Sequence, residues 1–272
     1  MCGCTSAGVA PAKSIRPDPR RLRLIEINRR CEAATMMGSN ATRTMHGRHA
    51  LEGQMQTLQV EIPVDYVTLG GTLEMPDKAR AIVVFAHGSG SSRFSPRNRQ
   101  VAAGLHGAGF ATLLFDLLTA EEQRHDSVDA TYRFNISLLA RRLAATLVWL
   151  RERPEIAPLP VGLFGASTGA AAALVAAAQT DSVGAIVSRG GRPDLARTAL
   201  ASVTAPTLLI VGGLDEEVIR LNRKAAAQMH CEHRIDIVPG ATHLFEEPGT
   251  LEEVTRLASD WFVRWLDGRT RA

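Results

Sequence analysis

Val161-Gly162-Leu163-Phe164-Gly165-Ala166-Ser167-Thr168-Gly169, followed by the alanine-rich run Ala170 to Ala178, is the stretch from which the chain is read. A short apolar run comes first, then five residues bounded by glycines, then a run of the strongest helix former. The pattern is strand, tight turn, helix. Glycine two positions before and after Ser167 lets the strand and helix crowd around a serine held on a strained turn. A bare G-x-S-x-G is a common glycine-rich turn; between a buried strand and a helix it marks a nucleophile.

Working outward, further apolar runs of the same buried kind occur at Ala81 to Ala86, Ala111 to Phe115, Val183 to Val187 and Thr207 to Val211. Each is short and β-rich, as strands covered on both faces are. Ile235 to Val238 supplies a last strand. Leu58 to Val64 and Tyr66 to Met75 predict an opening antiparallel pair that turns on Gly70 and Gly71. Between the strands lie amphipathic helices. Leu139, Leu143, Leu147 and Leu150 recur at helical spacing with Arg141 and Arg142 between them, and Val254, Leu257, Ala258, Trp261 and Trp265 do the same near the end. The expected class is therefore α/β, a mostly parallel sheet with helices on both faces and right-handed crossovers. No internal repeat is present.

A serine hydroxyl needs a base within reach, and the base needs a partner that fixes its tautomer. Asp215 follows the strand Thr207 to Val211, and His243 follows the last strand in Pro239-Gly240-Ala241-Thr242-His243. Both fall at the C-terminal ends of parallel strands, where open α/β sheets gather ligands. Asp215 has rival readings: it could cap the helix beginning near Glu216, with Glu216 or Glu217 as the acid. His230 and His233 precede the last strand, His46 and His49 lie near the N-terminus, and His106 and His125 read as helix-surface and loop residues. An oxyanion hole needs one amide after the nucleophile and one from a loop after an earlier strand. Thr168 supplies the first; Ser89, in His87-Gly88-Ser89-Gly90, is favoured for the second, with Gly88 its neighbouring alternative. His87 is read as shaping that loop.

Together, His87-Gly88-Ser89-Gly90, the Ser167 turn, Asp215 and His243 resemble an α/β-hydrolase of the dienelactone hydrolase-like group over roughly residues 58 to 266. The chain order Ser, Asp, His is that of the fold. The resemblance implies acyl transfer through a covalent ester on the serine, with no metal or organic cofactor. One departure stands out: dienelactone hydrolases proper use cysteine where this chain has Ser167, which favours a general carboxylesterase over the lactone specialist.

Only about twenty residues separate Val187 from Thr207, too few for a helical lid, so no large cap domain is expected and the site should be open to small or short-chain acyl esters. Arg93, Arg97, Arg99, Arg189 and Arg192 lie near the same edge. Of these, Arg189 and Arg93 could hold a substrate carboxylate or phosphate by bidentate contact, although exposed or loop-bracing arginines are commoner. An amidase or peptidase would share the machinery, and an idle binding protein could share the scaffold.

Residues 1–54 contain no Phe, Tyr or Trp, and hold nine Lys and Arg against four Asp and Glu, which leaves the rest of the chain, at a total of +3, about −2. This extension is expected to be disordered or peripheral, with at most a short helix around Leu22 to Ile27. The hydrolase domain is expected over 55–268; the chain from Met55 reads as a complete enzyme, with the leader an upstream start or a dispensable extension. The basic excess has no accompanying basic helix face or aromatic interleaving, so nucleic acid is not an expected partner. Three of the four cysteines (Cys2, Cys4, Cys31) lie in the extension and Cys231 stands alone, which implies no disulfide framework. With no apolar run long enough for a membrane span or signal peptide, a cytoplasmic location is expected.

Overall fold

The buried runs of the sequence form the centre of an eight-stranded sheet. A computed structural model describes residues 55–267; the extension 1–54 and residues 268–272 lie outside the described residues. The strands are β1 (Gln56–Val64), β2 (Val67–Met75), β3 (Ala81–Ala86), β4 (Phe110–Phe115), β5 (Val161–Ala166), β6 (Val183–Arg189), β7 (Thr207–Gly212) and β8 (His233–Val238). Their order is β1-β2-β4-β3-β5-β6-β7-β8. β2 pairs antiparallel with both β1 and β4, and all other neighbours are parallel. The helices are α1 (Pro96–Gly107), α2 (Ala120–Asp129), α3 (Ile136–Arg151), α4 (Thr168–Ala177), α5 (Glu216–Ala226) and α6 (Thr250–Leu266), with a 3-10 segment at Pro193–Ser202. The expected α/β-hydrolase architecture, without a large cap domain, is what forms.

The opening hairpin corrects one expectation. Val64 pairs with Val67, so the chain turns on Asp65 and Tyr66, with Asp65 at φ +50°, and not on Gly70 and Gly71. Those glycines sit inside β2, opposite Glu61 and Val60, where the missing side chain makes room. A Cβ on Gly71 would lie 2.9 Å from Val60 Cγ2, and one on Gly70 would lie 2.8 Å from the Arg93 guanidinium. Their signal is close packing within a strand.

Alternation along each central strand divides the core in two. Ile82, Val84, Leu163, Ile186 and Leu209 face α3, α4 and α5; Val83, Phe85, Phe164, Val187 and Ile210 face α1 and α6. Phe85 and Phe164 stack across neighbouring strands with ring centroids 4.8 Å apart. The leucine stripe of α3 is buried as expected, but Arg142 is buried with it. Its guanidinium donates to both oxygens of Glu122 on α2, at 2.6 and 2.7 Å, and to the Leu117 carbonyl just past β4, at 2.8 Å. Glu122 also accepts from the Thr119 amide, closing a capping box at the start of α2. Burial by itself would raise the Glu122 carboxyl, but the Arg142 and Thr119 contacts outweigh it and hold it below the usual range.

The ion pair therefore clamps α2 to α3 over the C-terminal edge of the sheet. Replacing Arg142 by Leu leaves Glu122 uncompensated and should destabilise the fold by about 3 kcal/mol, and adding Glu122→Leu should recover most of that loss. Urea denaturation of the single and double variants measures both.

Candidate active site

Ser167 stands between β5 and α4 with φ +50° and ψ −121°, a region a residue with a side chain occupies only under constraint. The constraint is visible. The Ser167 amide donates to the Arg189 carbonyl of neighbouring β6 at 3.3 Å, and the Ser167 carbonyl accepts from the Ala170 and Arg192 amides, both at 3.1 Å. A Cβ on Gly165 would lie 2.7 Å from the Ala170 nitrogen, and one on Gly169 would be driven into the carbonyl oxygens of Ala86 and His87. The two glycines flanking the serine are there because strand and helix touch at both positions.

Asp215 occupies the N-cap position of α5 but makes no side-chain cap there. Its Oδ2 instead accepts from His243 Nδ1 at 2.6 Å, with the carboxylate largely buried and the imidazole part-exposed. Of the three acids considered, Asp215 is the one in contact with His243. Glu217 is engaged by Arg220, and Glu216 is exposed on the first turn of the helix. The loop carrying His243 crosses the end of β7 at Gly212, where a Cβ would lie 2.5 Å from the Thr242 carbonyl oxygen. It is anchored by buried Phe245 and by the Glu247 carboxylate accepting from the Thr242 amide at 3.0 Å. The His243 ring lies against Gly190, directly after the residue that accepts the Ser167 amide. Ser167 Oγ and His243 do not share a hydrogen bond, a contact that in such sites commonly closes only on substrate. Of the other histidines, His106 packs half-buried against Thr112 at the end of α1, and His125 lies exposed on helix α2 and not in the expected loop.

Thr168 opens α4, so its amide is among the helix N-terminal donors with no intrahelical acceptor. Ser89 lies across from it, with the two hydroxyls 3.1 Å apart. Gly88 is the point of closest approach: a Cβ there would meet Ser167 Cβ at 3.0 Å. The loop is closed by the Ser91 amide donating to the Gly88 carbonyl. His87 holds it from below: Nε2 accepts from the Leu117 amide at 2.9 Å and Nδ1 donates to the Gly88 carbonyl at 3.0 Å, which fixes one neutral tautomer. Burial pushes the His87 imidazole below its ordinary value, against weaker opposing effects of Gly88 and Asp116.

Beside this loop opens a cavity of about 280 Å³. Ser89, Thr168, Leu117, Leu118, Gln123, Ser127 and Leu139 contribute to its wall. The wall from α2 is not among the sequence expectations, which concern the segment after β6. The signal was present as Thr119-x-x-Glu122, a capping-box spacing ahead of the α3 stripe.

The arginines have different fates. Arg93 donates from its backbone and guanidinium to Asp116 and stacks over Phe94, bracing the loop outside the cavity. Arg192 is paired bidentately with Asp194 at 2.8 Å. Arg99 is exposed, Arg97 reaches Glu246, and Arg189 is buried outside the cavity wall.

The family model of the dienelactone hydrolase family matches residues 69–266, well over half of the chain. The chain belongs to the dienelactone hydrolase family. It is similar to the crystal structure of a dienelactone hydrolase from Anabaena variabilis, with 55% identity and a TM-score of 0.77, covering 78% of this chain and 99% of that one. It is 57% identical over 220 residues to a Mycobacterium tuberculosis protein provisionally named a phosphoribosyl transferase, which covers 80% of this chain. The match takes in 49% of that protein, so the chain spans about half the length of the curated relatives it matches. An esterase from Pyrococcus furiosus, 18% identical with a TM-score of 0.61 and covering 78% and 92% of the two chains, shares the fold. Among the described residues no helix is long and apolar enough to cross a membrane.

The buried, neutral His87 gives a pH dependence. Its folded value is depressed, so the unfolded chain takes up the proton first, and stability present above about pH 6.5 is lost as pH falls below it. Melting temperatures between pH 7.5 and 5 should fall for wild type and fall less steeply for His87→Gln, with a residual slope from His106, which burial also lowers.

Proposed function

We propose that this family member is a serine hydrolase that cleaves carboxylic esters of small or short-chain acyl groups, with Ser167 as nucleophile, His243 as general base and acid, and Asp215 orienting the histidine. The observation that carries the reading is the 2.6 Å contact between Asp215 Oδ2 and His243 Nδ1 at the strand ends beside the strained Ser167. With its Nδ1 proton committed to Asp215, His243 presents the Nε2 lone pair. That nitrogen takes the Ser167 proton as Oγ bonds to the ester carbonyl carbon, and the resulting oxyanion is met by the Thr168 and Ser89 amides. Collapse breaks the bond to the leaving alkoxide, which receives the proton from His243 and leaves an acyl-Ser167 ester. A water then loses its proton to His243, attacks the acyl carbon, and Ser167 is restored with release of the acid. The atoms balance without a cofactor. The cavity under α2, adjoining Thr168 and Ser89, is assigned to the acyl group: Leu117, Leu118 and Leu139 offer apolar contact, and Gln123 and Ser127 offer polar contact to an oxygenated acyl chain.

Three measurements check the reading. Hydrolysis of p-nitrophenyl acetate and butyrate should fall by about 10³-fold or more in Ser167→Ala. Asp215→Asn should reduce kcat strongly with little change in KM, because the histidine tautomer is lost and not the pocket. Filling the cavity with Gln123→Trp should lower the butyrate-to-acetate ratio of kcat/KM by about tenfold, the scale of the two methylenes by which the acyl groups differ at about 0.8 kcal/mol each. An unchanged ratio places the acyl group elsewhere.

A further inference from the structure

The side of the sheet opposite the cavity holds a buried positive charge with no counter-charge among the described residues. Arg189 ends β6, and strand alternation puts it with Ala185 and Val187 on the face covered by α1 and α6. It is 8% exposed, and its Nε and Nη1 are buried without a hydrogen-bond partner. Among the described residues no carboxylate pairs with it, and the charge that acts on it is the like charge of Arg97. Burial pushes the guanidinium down to about 10, with Arg97 adding to the effect, so it stays cationic at neutral pH. A buried cation without a partner is strongly destabilising.

The first turn of α1 shows the same deficit. Arg97 Nη1 reaches Glu246 at 2.8 Å, but its Nε is buried and unpartnered. Asn98, the next residue, is 3% exposed on the sheet-facing side with Val101, Ala102 and Leu105, and its amide oxygen is likewise unpartnered. A half-turn of that amide presents its NH₂ instead. The positive end of the α1 dipole adds to the field.

We propose that Arg189, with Arg97 and Asn98 at the start of α1, forms a binding site for a phosphate-type oxyanion. Two guanidinium groups and a helix N-terminus, offset by the single carboxylate of Glu246, suit a dianion better than a singly charged group. The site adjoins the catalytic loop: the Arg189 carbonyl accepts the Ser167 amide, Gly190 packs against His243, and Glu246 follows His243 by three residues. The oxyanion is either free phosphate or a phosphate carried by the ester substrate; the second source rests on the esterase reading, and the first does not.

Thermal melting of the full chain with inorganic phosphate tests the site without reference to catalysis. In phosphate-free buffer Arg189→Met should melt no lower than wild type, since it removes an uncompensated buried charge. Phosphate at about 10 mM should raise the melting temperature of wild type by a few degrees, raise that of Arg97→Gln less, and leave that of Arg189→Met unchanged. No rise for wild type, or an equal rise in Arg189→Met, overturns the proposal; if Arg189→Met fails to fold, an equal rise in Arg97→Gln does so. A second arm identifies the source. The ratio of kcat/KM for a ring-phosphorylated phenyl acetate to that for phenyl acetate falls at least tenfold in Arg97→Gln if the substrate carries the phosphate, and stays constant if the ion is free. An enzyme inactive on both esters would sink the esterase reading while the melting result still judged the site.

Discussion

The crowding of β5 against α4 around Ser167 is the constraint on which the remainder depends. Gly165 and Gly169 allow backbone to meet backbone on both sides of the serine, and the residue between them is left at φ +50°. Such a conformation is unfavourable by about 1–3 kcal/mol for a residue with a side chain, and persists only because the surrounding structure over-determines it. Here it is held by bonds to β6 and to the segment that follows it, and by the packing of Gly88 on the serine itself. The same turn carries Ser167 and opens α4 at Thr168, so the proposed nucleophile and one proposed oxyanion donor share one local geometry.

The remaining parts are brought to that point by the sheet. Parallel β3, β5, β6, β7 and β8 all end at one edge, so Arg189 at the end of β6 and the loops that carry Ser89, Ser167, Asp215 and His243 come to a common region although they are far apart in sequence. Three devices hold those loops in register: His87 joining the ends of β3 and β4, Phe245 and Glu247 anchoring the His243 loop, and the Arg142–Glu122 pair fastening α2 beside the Ser89 loop. His87 and the Arg142–Glu122 pair are buried or part-buried polar groups with their partners supplied, as a low-dielectric interior requires, whereas the Glu247 contact lies at the surface. Arg189 departs from that rule.

Much of this was legible in the sequence because it rests on local pattern. Buried parallel strands are continuous apolar runs, and Ala81–Ala86 and Val161–Phe164 could be placed to within two residues of their observed ends. The serine turn carries its own glycine signature, and Asp215 and His243 follow from their positions after strands. What could not be read depended on partners distant in the chain. Gly70 and Gly71 look like a turn until Arg93 and Val60 are seen filling the space above them. Arg142 falls on the expected polar side of α3 only while Glu122 is unknown. Whether Arg93 or Arg189 was braced or free could not be decided by proximity to the motif, because it turns on whether a carboxylate stands opposite. Asp116 does so for Arg93, and no carboxylate does so for Arg189 among the described residues.

The most direct test of the account is the covalent intermediate itself. Rapid acid quench of the enzyme during turnover of p-nitrophenyl butyrate, followed by mass spectrometry of its peptides, should find a butyryl group on the peptide spanning Ser167, absent from Ser167→Ala and accumulating in His243→Ala if deacylation slows more than acylation. A turning-over enzyme with no acyl group at Ser167, or one acylated at another residue, would contradict it.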